Sequence, residues 1–226
     1  MKIRLFIQNI DPNNIKIIDD QHHYLANVLR IKNDDEVFIF NEQGEWQCRV
    51  AIVHKKYIML QMQKQIEKND KLLDIAVCIP LIKPDTMSRM IRQSVEIGVK
   101  KIIIFNARYS SVRHINLDKI RVIAIEALEQ CGGILLPKII FCDNLENTFI
   151  ECEGIILYAN EKTIQNGEKN KIPKNIETTI FIGPEGGFSD EEINFLSNQK
   201  DAISVNLGHR ILRSDTALVS LITQVF

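Results

Sequence analysis

Hydrophobic and polar positions alternate with a period of two over most of the first seventy residues. Four such runs are present, at residues 2–8, 36–41, 45–53 and 57–63. Alternation that is rich in β-branched and aromatic residues is typical of strands that bury one face. We therefore predict a small antiparallel β-barrel. One short helix at residues 21–30 is predicted within it, with Leu25, Val28 and Leu29 on its buried face.

From residue 73 onward, short apolar strands alternate with helices. The predicted strands are residues 73–79, 101–105, 138–141, 154–159, 178–182 and 202–206, and the predicted helices are residues 84–97, 116–130, 190–199 and 214–226. This alternation predicts an α/β fold with a mainly parallel sheet covered on both faces. The polar stretch at residues 65–71 has no apolar period and predicts a linker. We therefore predict two domains, residues 1–70 and 71–226.

The stretch from residue 178 to 217 differs most from ordinary folding sequence. A predicted buried strand ends abruptly in Gly183-Pro184-Glu185-Gly186-Gly187, which implies a backbone that something approaches closely. Ser189 and Glu192 then have the spacing of a capping box. A second loop at residues 207–213 follows the next strand, and Ser214 is predicted to cap the last helix.

A glycine-rich turn between a strand and a helix often binds phosphate. Here no Lys-Ser/Thr pair follows the glycines, and Glu185, Asp190, Glu191 and Glu192 place carboxylates where an anion would bind. The pocket therefore favours a neutral or cationic ligand. S-adenosylmethionine, with its adenine and its sulfonium, fits that description.

The composition mainly excludes classes of protein and of site. The chain has 226 residues, of which 45% are hydrophobic and 25% charged, as in ordinary globular proteins. Its apolar runs are too short to cross a bilayer and no signal peptide is indicated, so we expect a cytoplasmic protein. The five cysteines lack CxxC spacing, so we predict buried thiols, with no disulfide framework and no metal site.

Charge is distributed unevenly along the chain. The formal net charge is -1, but residues 83–121 contain nine Lys/Arg against three Asp/Glu, and residues 122–226 contain eight against fifteen. The middle of the chain is therefore the candidate phosphate-facing surface. In the first domain, Arg4, Arg30 and Lys32 form either a shared phosphate-binding surface or a solvated basic edge.

Several motifs resemble one family. IGPEGGFSDEEI at residues 182–193 and LGHRILRSDTA at residues 207–217 resemble the paired cofactor loops of the RsmE family, which are SPOUT-class methyltransferases acting on small-subunit rRNA. HYLANVLR at residues 23–30 resembles the signature of its PUA-like RNA-binding domain. The pieces SVEIGV, NARYSSV and EALEQCGG, at residues 94–99, 106–112 and 126–133, match as well. Gly133, Ile97 and Asp215 depart from the family pattern, which usually has Arg, Leu and Glu there.

The resemblance implies a PUA-like β-barrel followed by a SPOUT domain with a C-terminal trefoil knot, and a homodimer that completes the site. It also implies S-adenosylmethionine as the cofactor and methyl transfer to N3 of a uridine in 16S-type rRNA, either naked or in the assembled subunit. Cofactor contacts are expected mostly from the main chain of Gly183, Glu185, Gly186, Gly187, Leu207, Gly208, Ile211, Leu212 and Arg213.

Methylation at N3 of uracil requires loss of a proton and places negative charge on O2 and O4. We expect Arg210 and Arg213 to stabilise that charge, with Arg108 behind them. Glu185 either accepts the proton or orders the loop. Asp215 is predicted to cap a helix or to pair with an arginine. The predicted RNA contacts are Arg4, Arg30, Lys32, Arg92 and Arg108.

Three alternatives stay open at this point. A non-catalytic RNA-binding assembly factor could keep the fold without the activity. A nucleotide-phosphate enzyme could use the glycine loop differently. A related SPOUT enzyme could modify another base or a tRNA.

Overall fold

The computed structural model of the chain describes residues 2–160 and 172–225. They form two compact units. The first contains the chain up to Lys71 together with Leu128–Leu135, and the second contains Leu72–Ala127 and Leu136–Phe226. Each unit has its own β-sheet and its own hydrophobic core.

The first unit is built on a five-stranded sheet. Its strands are β1 (Arg4–Phe6), β2 (Ile15–Ile17), β3 (Glu36–Asn41), β4 (Gly44–His54) and β5 (Tyr57–Ile66), connected in the order β1-β3-β4-β5-β2. All neighbouring pairs are antiparallel as predicted, except that β1 and β3 are parallel. That exception is possible because no tight hairpin joins these two strands. Leu5, Val37 and Ile58 are among the residues buried in its core.

The helix predicted at residues 21–30 begins and ends two residues earlier than expected and is less regular. Helix α1 covers Asp19–His23 and continues as a π-helical turn over Tyr24–Val28, in which the Leu29 amide donates to the Tyr24 carbonyl at 3.0 Å. Leu25 is fully buried, but Val28 is 59% exposed, so its predicted burial was wrong. The wider turn rotates Val28 away from the face that an α-helical period assigns to it.

The second unit is an α/β fold with an entirely parallel six-stranded sheet, which confirms the predicted architecture. Its strands are β6 (Leu73–Pro80), β7 (Val99–Phe105), β8 (Lys138–Cys142), β9 (Ile155–Ala159), β10 (Thr178–Phe181) and β11 (Ala202–Val205). They lie in the order β11-β9-β10-β6-β7-β8.

The four predicted helices of this unit begin within one residue of their predicted starts, and the last of them ends four residues before its predicted end. They are α2 (Pro84–Ile97), α3 (Leu117–Cys131), α4 (Leu145–Ile150), α5 (Asp190–Ser197) and α6 (Ser214–Ile222), and the end of α3 belongs to the first unit. Pro84 is in the first turn of α2, and Gly98 ends that helix with a φ of 88°. Short helix α4, capped by the Asn144 side chain, was not predicted.

Strand order determines where the two glycine-containing loops lie. Strand β9 is hydrogen-bonded to both β10 and β11, and all three are parallel. Their carboxyl ends therefore lie at the same edge of the sheet, as in other open α/β sheets that bind ligands there. The loops after β10 and β11 consequently flank the end of β9.

The cysteines only partly follow the prediction. Cys48 and Cys78 are buried, and burial raises the pKa of the Cys48 thiol to about 11. Cys131 is exposed, and Cys142 and Cys152 are half-buried, so the prediction of five buried thiols was wrong for these three. Among residues 2–160 and 172–225, no group of His, Cys, Asp and Glu side chains could hold a metal ion. No helix in the same ranges is long and apolar enough to span a membrane.

Candidate functional site

A cavity of about 480 Å³ lies beyond the carboxyl ends of β9, β10 and β11 in the second unit. Its walls are residues 182–190, 205–208 and 210–214, together with Tyr109, Ala159, Asn160, Ile193 and Ala217. All nine residues predicted to contact the cofactor line this cavity, and so does Arg210. The structure therefore brings both predicted loops to one concave site.

The three glycines of the first loop have different surroundings. Gly187 has a φ of +73°, and a side chain there would meet nothing within 4 Å, so it would point into open space. A Cβ at Gly186 would lie 3.4 Å from the Cβ of Tyr109, and one at Gly183 would lie 3.3 Å from the Phe188 ring. The loop thus offers bare backbone to the cavity on one side and packs closely on the other.

The predicted capping box at the start of α5 is confirmed. The Ser189 hydroxyl accepts from the Glu192 amide at 3.2 Å, and the Glu192 carboxylate accepts from the Ser189 amide at 2.8 Å. The other oxygen of Glu192 accepts from the Arg108 amide at 2.8 Å, a contact that sequence spacing did not reveal. Glu192 therefore connects the NARYSSV turn to the glycine loop.

The second loop is attached to the first through Ser214. Its hydroxyl donates to the Gly183 carbonyl at 2.9 Å. The N-cap residue of α6 is Arg213, which makes no side-chain capping bond, so the predicted capping role of Ser214 was wrong. Ser214 lies inside the first turn of α6, where its hydroxyl reaches the neighbouring loop instead of a helix amide.

Asp215, one residue further on, pairs with an arginine as predicted. Its carboxylate accepts from Arg89 Nε at 2.9 Å. Partial burial acts to raise the pKa of Asp215, but the hydrogen bond and the charge of Arg89 outweigh it, so the pKa is lowered. The carboxylate is therefore charged at neutral pH and ties α6 to α2.

The three predicted catalytic side chains are exposed at the cavity. Glu185 lies in the first loop, and Arg210 and Arg213 lie in the second. Two cations and a carboxylate thus border one solvent-accessible site. Such a site can stabilise negative charge on a bound base and can accept a proton from it.

Arg4 does not fit its predicted role in RNA binding. It is only 7% exposed, its Nε donates to Glu45 at 2.9 Å, and its other nitrogens donate to the carbonyls of Leu128, Glu129 and Gly133. Burial acts to raise the pKa of Glu45, but hydrogen bonds from Lys2, Arg4 and Lys68 outweigh it and lower the pKa. We therefore correct the prediction: Arg4 stabilises the first unit.

The other predicted RNA contacts are accessible to different degrees. Arg30 and Lys32 are exposed in the first unit, and Arg108 is exposed in the second. Arg92 is half-buried, and its guanidinium donates to Glu126 at 2.9 Å. Tyr109, which the motif analysis did not single out, also lines the cavity and is 54% exposed. The available sequence signal was an aromatic residue within the NARYSSV motif.

Comparison with known structures shows the same fold over the whole chain. A ribosomal RNA small subunit methyltransferase E from Neisseria gonorrhoeae, solved bound to S-adenosyl methionine, superposes with a TM-score of 0.80 at 22% identity, covering 99% of this chain and 96% of that chain. A Legionella pneumophila protein in complex with the cofactor SAM superposes with a TM-score of 0.87 at 23% identity, covering 100% and 97%.

Sequence comparison gives the family. A model described as an RNA methyltransferase domain matches residues 68–225, and one described as an RNA methyltransferase PUA domain matches residues 17–61. The ribosomal RNA small subunit methyltransferase E of Buchnera aphidicola (subsp. Acyrthosiphon pisum) is 32% identical, with 97% of this chain and 91% of that protein covered. That of Rickettsia conorii is 29% identical, with 98% and 94% covered. This chain therefore belongs to the ribosomal RNA small subunit methyltransferase E family of RNA methyltransferases.

Proposed function

We propose that this protein transfers the methyl group of S-adenosylmethionine to N3 of a uridine in small-subunit (16S) ribosomal RNA. The observation that carries the proposal is the cavity between the two loops, whose walls include every residue predicted for the cofactor. Family membership and the two solved structures that hold S-adenosylmethionine support it.

The cavity fits this cofactor in size and in chemistry. About 480 Å³ is within the range of small-molecule sites. The open space at Gly187 leaves room for a ligand against the backbone, where amides and carbonyls can hydrogen-bond an adenine. Glu185 and Asp190 place carboxylates in the walls, which favours a sulfonium over a phosphate. When bound, the cofactor supplies an electrophilic methyl group.

The residues around the cavity have distinct roles in this proposal. Arg210 and Arg213 hold the base through O2 and O4 and stabilise the negative charge that develops there when N3 loses its proton. Glu185 accepts that proton, directly or through a water molecule. The two loops fix the donor and acceptor in line, which by itself lowers the barrier.

RNA binding is assigned to both predicted domains. Residues 1–70 bind flanking RNA through Arg30 and Lys32, and residues 71–226 bind it through Arg92 and Arg108. These contacts are mainly to phosphates. We also propose the C-terminal trefoil knot, the homodimer and the cytoplasmic location that the family resemblance implied. Membership of the family supports the knot that the resemblance implied.

The function is tested by methyl transfer from labelled S-adenosylmethionine to small-subunit rRNA, followed by mass spectrometry of the modified nucleotide. The expected product is 3-methyluridine. Methylation of a different base, or of tRNA alone, would replace this proposal with another SPOUT activity. Cofactor binding without any transfer would favour the assembly factor, and binding of ATP in its place would favour the nucleotide enzyme.

Arg213→Ala tests the catalytic assignment. Loss of one preorganised donor to the developing charge is expected to lower kcat by about 100-fold or more. Cofactor affinity by calorimetry and RNA affinity should change little. Lys200→Ala is the control, because Lys200 is an exposed cation of the second unit that lies outside the basic segment 83–121 and does not line the cavity. Normal turnover in Arg213→Ala would remove this residue from catalysis.

A further inference from the structure

Tyr109 is placed differently from the aromatic residues around it. Phe105, Tyr158, Phe181 and Phe188 are all buried in the core of the second unit. Tyr109 is 54% exposed, and part of its side chain forms a wall of the cavity. Its ring therefore contributes little to the core and is available to a molecule that enters the cavity from solvent.

The turn that carries Tyr109 is held in one conformation. The Ala107 amide donates to the Ser110 hydroxyl at 2.9 Å, and the Ser110 amide donates to the Ala107 carbonyl at 3.1 Å. The Arg108 amide donates to Glu192 at 2.8 Å, and both Ala107 and Ser110 are buried. The exposed ring is thus presented by a fixed turn, with its position set by the helix that follows the glycine loop.

Gly186 of the glycine loop lies next to the Tyr109 side chain. A Cβ at residue 186 would be 3.4 Å from the Cβ of Tyr109, 3.7 Å from its Cγ and 3.8 Å from its Cδ2. The base of the ring therefore lies beside the loop, while more than half of the side chain stays exposed. Tyr109 thus forms a solvent-facing wall of the cavity.

We propose that Tyr109 forms a base-stacking subsite that holds the unstacked pyrimidine of the RNA substrate at the cavity entrance. This inference rests on the proposed function. A base whose N3 is to be methylated must leave its stack and its pairing, and it loses stacking energy in doing so. An aromatic ring replaces that energy, as in other proteins that bind single-stranded RNA. Stacking leaves the N3 edge of the base free to face the cavity.

The test distinguishes the effect of the aromatic ring on methylation from the effects of the size and the hydroxyl of the side chain. Single-turnover methylation of rRNA is measured in wild type, Tyr109→Phe, Tyr109→Leu and Tyr109→Ala, and cofactor affinity is measured by calorimetry. Loss of one stacking contact corresponds to about 10- to 100-fold. We expect that fall in kcat/KM for RNA in the Ala and Leu variants, with cofactor affinity kept within about two-fold. The Phe variant should match wild type.

A second measurement needs no turnover. A short single-stranded RNA with one fluorescent pyrimidine analogue is titrated in the presence of S-adenosylhomocysteine. Stacking should quench the analogue in wild type and Tyr109→Phe, and quenching should be lost in Tyr109→Ala and Tyr109→Leu. If the quenching depends on Tyr109 but the wild-type protein does not methylate rRNA, the proposed function is refuted and the stacking subsite is not.

Three results would overturn the stacking subsite. The first is wild-type kcat/KM and quenching in Tyr109→Ala. The second is a loss of cofactor affinity in proportion to the loss of activity, which would assign the ring to the cofactor. The third is a Phe variant as impaired as the Ala variant, which would assign the effect to the hydroxyl.

Discussion

At the scale of single residues, Gly187 is the position where backbone conformation and ligand space coincide. Its φ of +73° is unfavourable for other residues, and a Cβ there would meet nothing within 4 Å. Gly132 provides a matched case, because its φ is +88° and a Cβ there would also meet nothing. Gly132 does not line the cavity. Substitutions at the two glycines therefore distinguish the effect of backbone strain from the effect of filling the space that the ligand needs.

Alanine at either glycine is expected to lower the free energy of unfolding by about 1–2 kcal/mol, because an L-residue is strained in the left-handed region. Only Gly187→Ala should also weaken S-adenosylmethionine binding, by about ten-fold or more, since 1.4 kcal/mol of lost contact is a factor of ten. Denaturant titration gives the first quantity and calorimetry the second. Equal cofactor affinities in the two variants would contradict the assignment of the loop.

The residues of the cavity could be predicted from sequence because they are concentrated in two short motifs. Gly187 and Gly208 both have a positive φ, and a glycine in a short motif indicates such a backbone without any knowledge of the fold. The role of Arg4 could not be predicted, since its partner carbonyl at Leu128 is 124 positions away along the chain. An isolated arginine in a basic segment gives no sign that it will be buried.

At the scale of secondary-structure elements, Glu192 connects α5, the glycine loop and the turn that carries Tyr109. Its two carboxylate oxygens accept from the Ser189 amide and the Arg108 amide. In Glu192→Gln, one of these amides would face an NH₂ group and lose its acceptor. We expect a loss of about 1–3 kcal/mol in the free energy of unfolding, measured in urea.

The control for this prediction is Glu191→Gln. Glu191 is the neighbouring residue of α5 and is exposed. Hydrogen bonds from its own backbone amide and from Ser189 lower its pKa, and its neutralisation should cost less stability than that of Glu192, because the Arg108 amide donates to Glu192. If both variants lost the same amount, the bridging role of Glu192 would be refuted.

Elements with a long, regular period were predictable, and short or irregular ones were not. Helix α2 follows from Pro84, Gly98 and the apolar positions between them. Strand β2 has three residues, too few to establish an alternation. The π-helical turn at Tyr24–Val28 is set by tertiary packing of Leu25, so an α-helical period assigned Val28 to the wrong face.

At the scale of the whole molecule, ion pairs connect the amino ends of the strands in the second unit. Lys100 at the start of β7 pairs with Glu153 before β9 and Glu177 before β10. Lys101 pairs with Glu151 and Glu153. Partial burial acts to lower the pKa of Lys100, but the hydrogen bonds that Lys100 donates to Glu177 and Glu153 outweigh it and raise the pKa.

This cluster predicts a pH dependence of stability. Hydrogen bonds from Lys100 and then Lys101 lower the pKa of Glu153 from 4.5 to about 2. A depressed carboxyl pKa contributes stability that is complete above about pH 4.5 and is lost as the pH falls toward 2. Glu153→Gln should therefore be less stable at pH 7 and should lose less stability between these pH values.

Urea midpoints measured from pH 7 to pH 2 test this expectation. Glu146→Gln is the control, because Glu146 is exposed on α4 and belongs to none of these ion pairs. Because Glu146 is in the first turn of α4, its neutralisation can shift the midpoints, but they should fall with pH in parallel with those of wild type. A Glu153→Gln profile that is parallel to wild type over the acid range would show that the cluster does not contribute.

Uneven charge along the chain predicts how RNA binding depends on salt. The basic segment at residues 83–121 and the exposed Arg30 and Lys32 offer cations to phosphates, although the net charge is -1. The RNA affinity should therefore fall steeply with salt. Each phosphate contact contributes about 0.7–0.9 to the slope of log affinity against log salt concentration. Lys32→Ala and Arg108→Ala should each reduce the slope by about one unit.

Arg92→Ala should reduce it less, because its guanidinium must first give up part of its interaction with Glu126. Filter binding to a fixed rRNA fragment at several salt concentrations gives the slopes. If Lys32→Ala or Arg108→Ala keeps the wild-type slope while affinity falls equally at every salt concentration, that residue acts without contacting phosphate. The surface assigned to RNA would then have to exclude it.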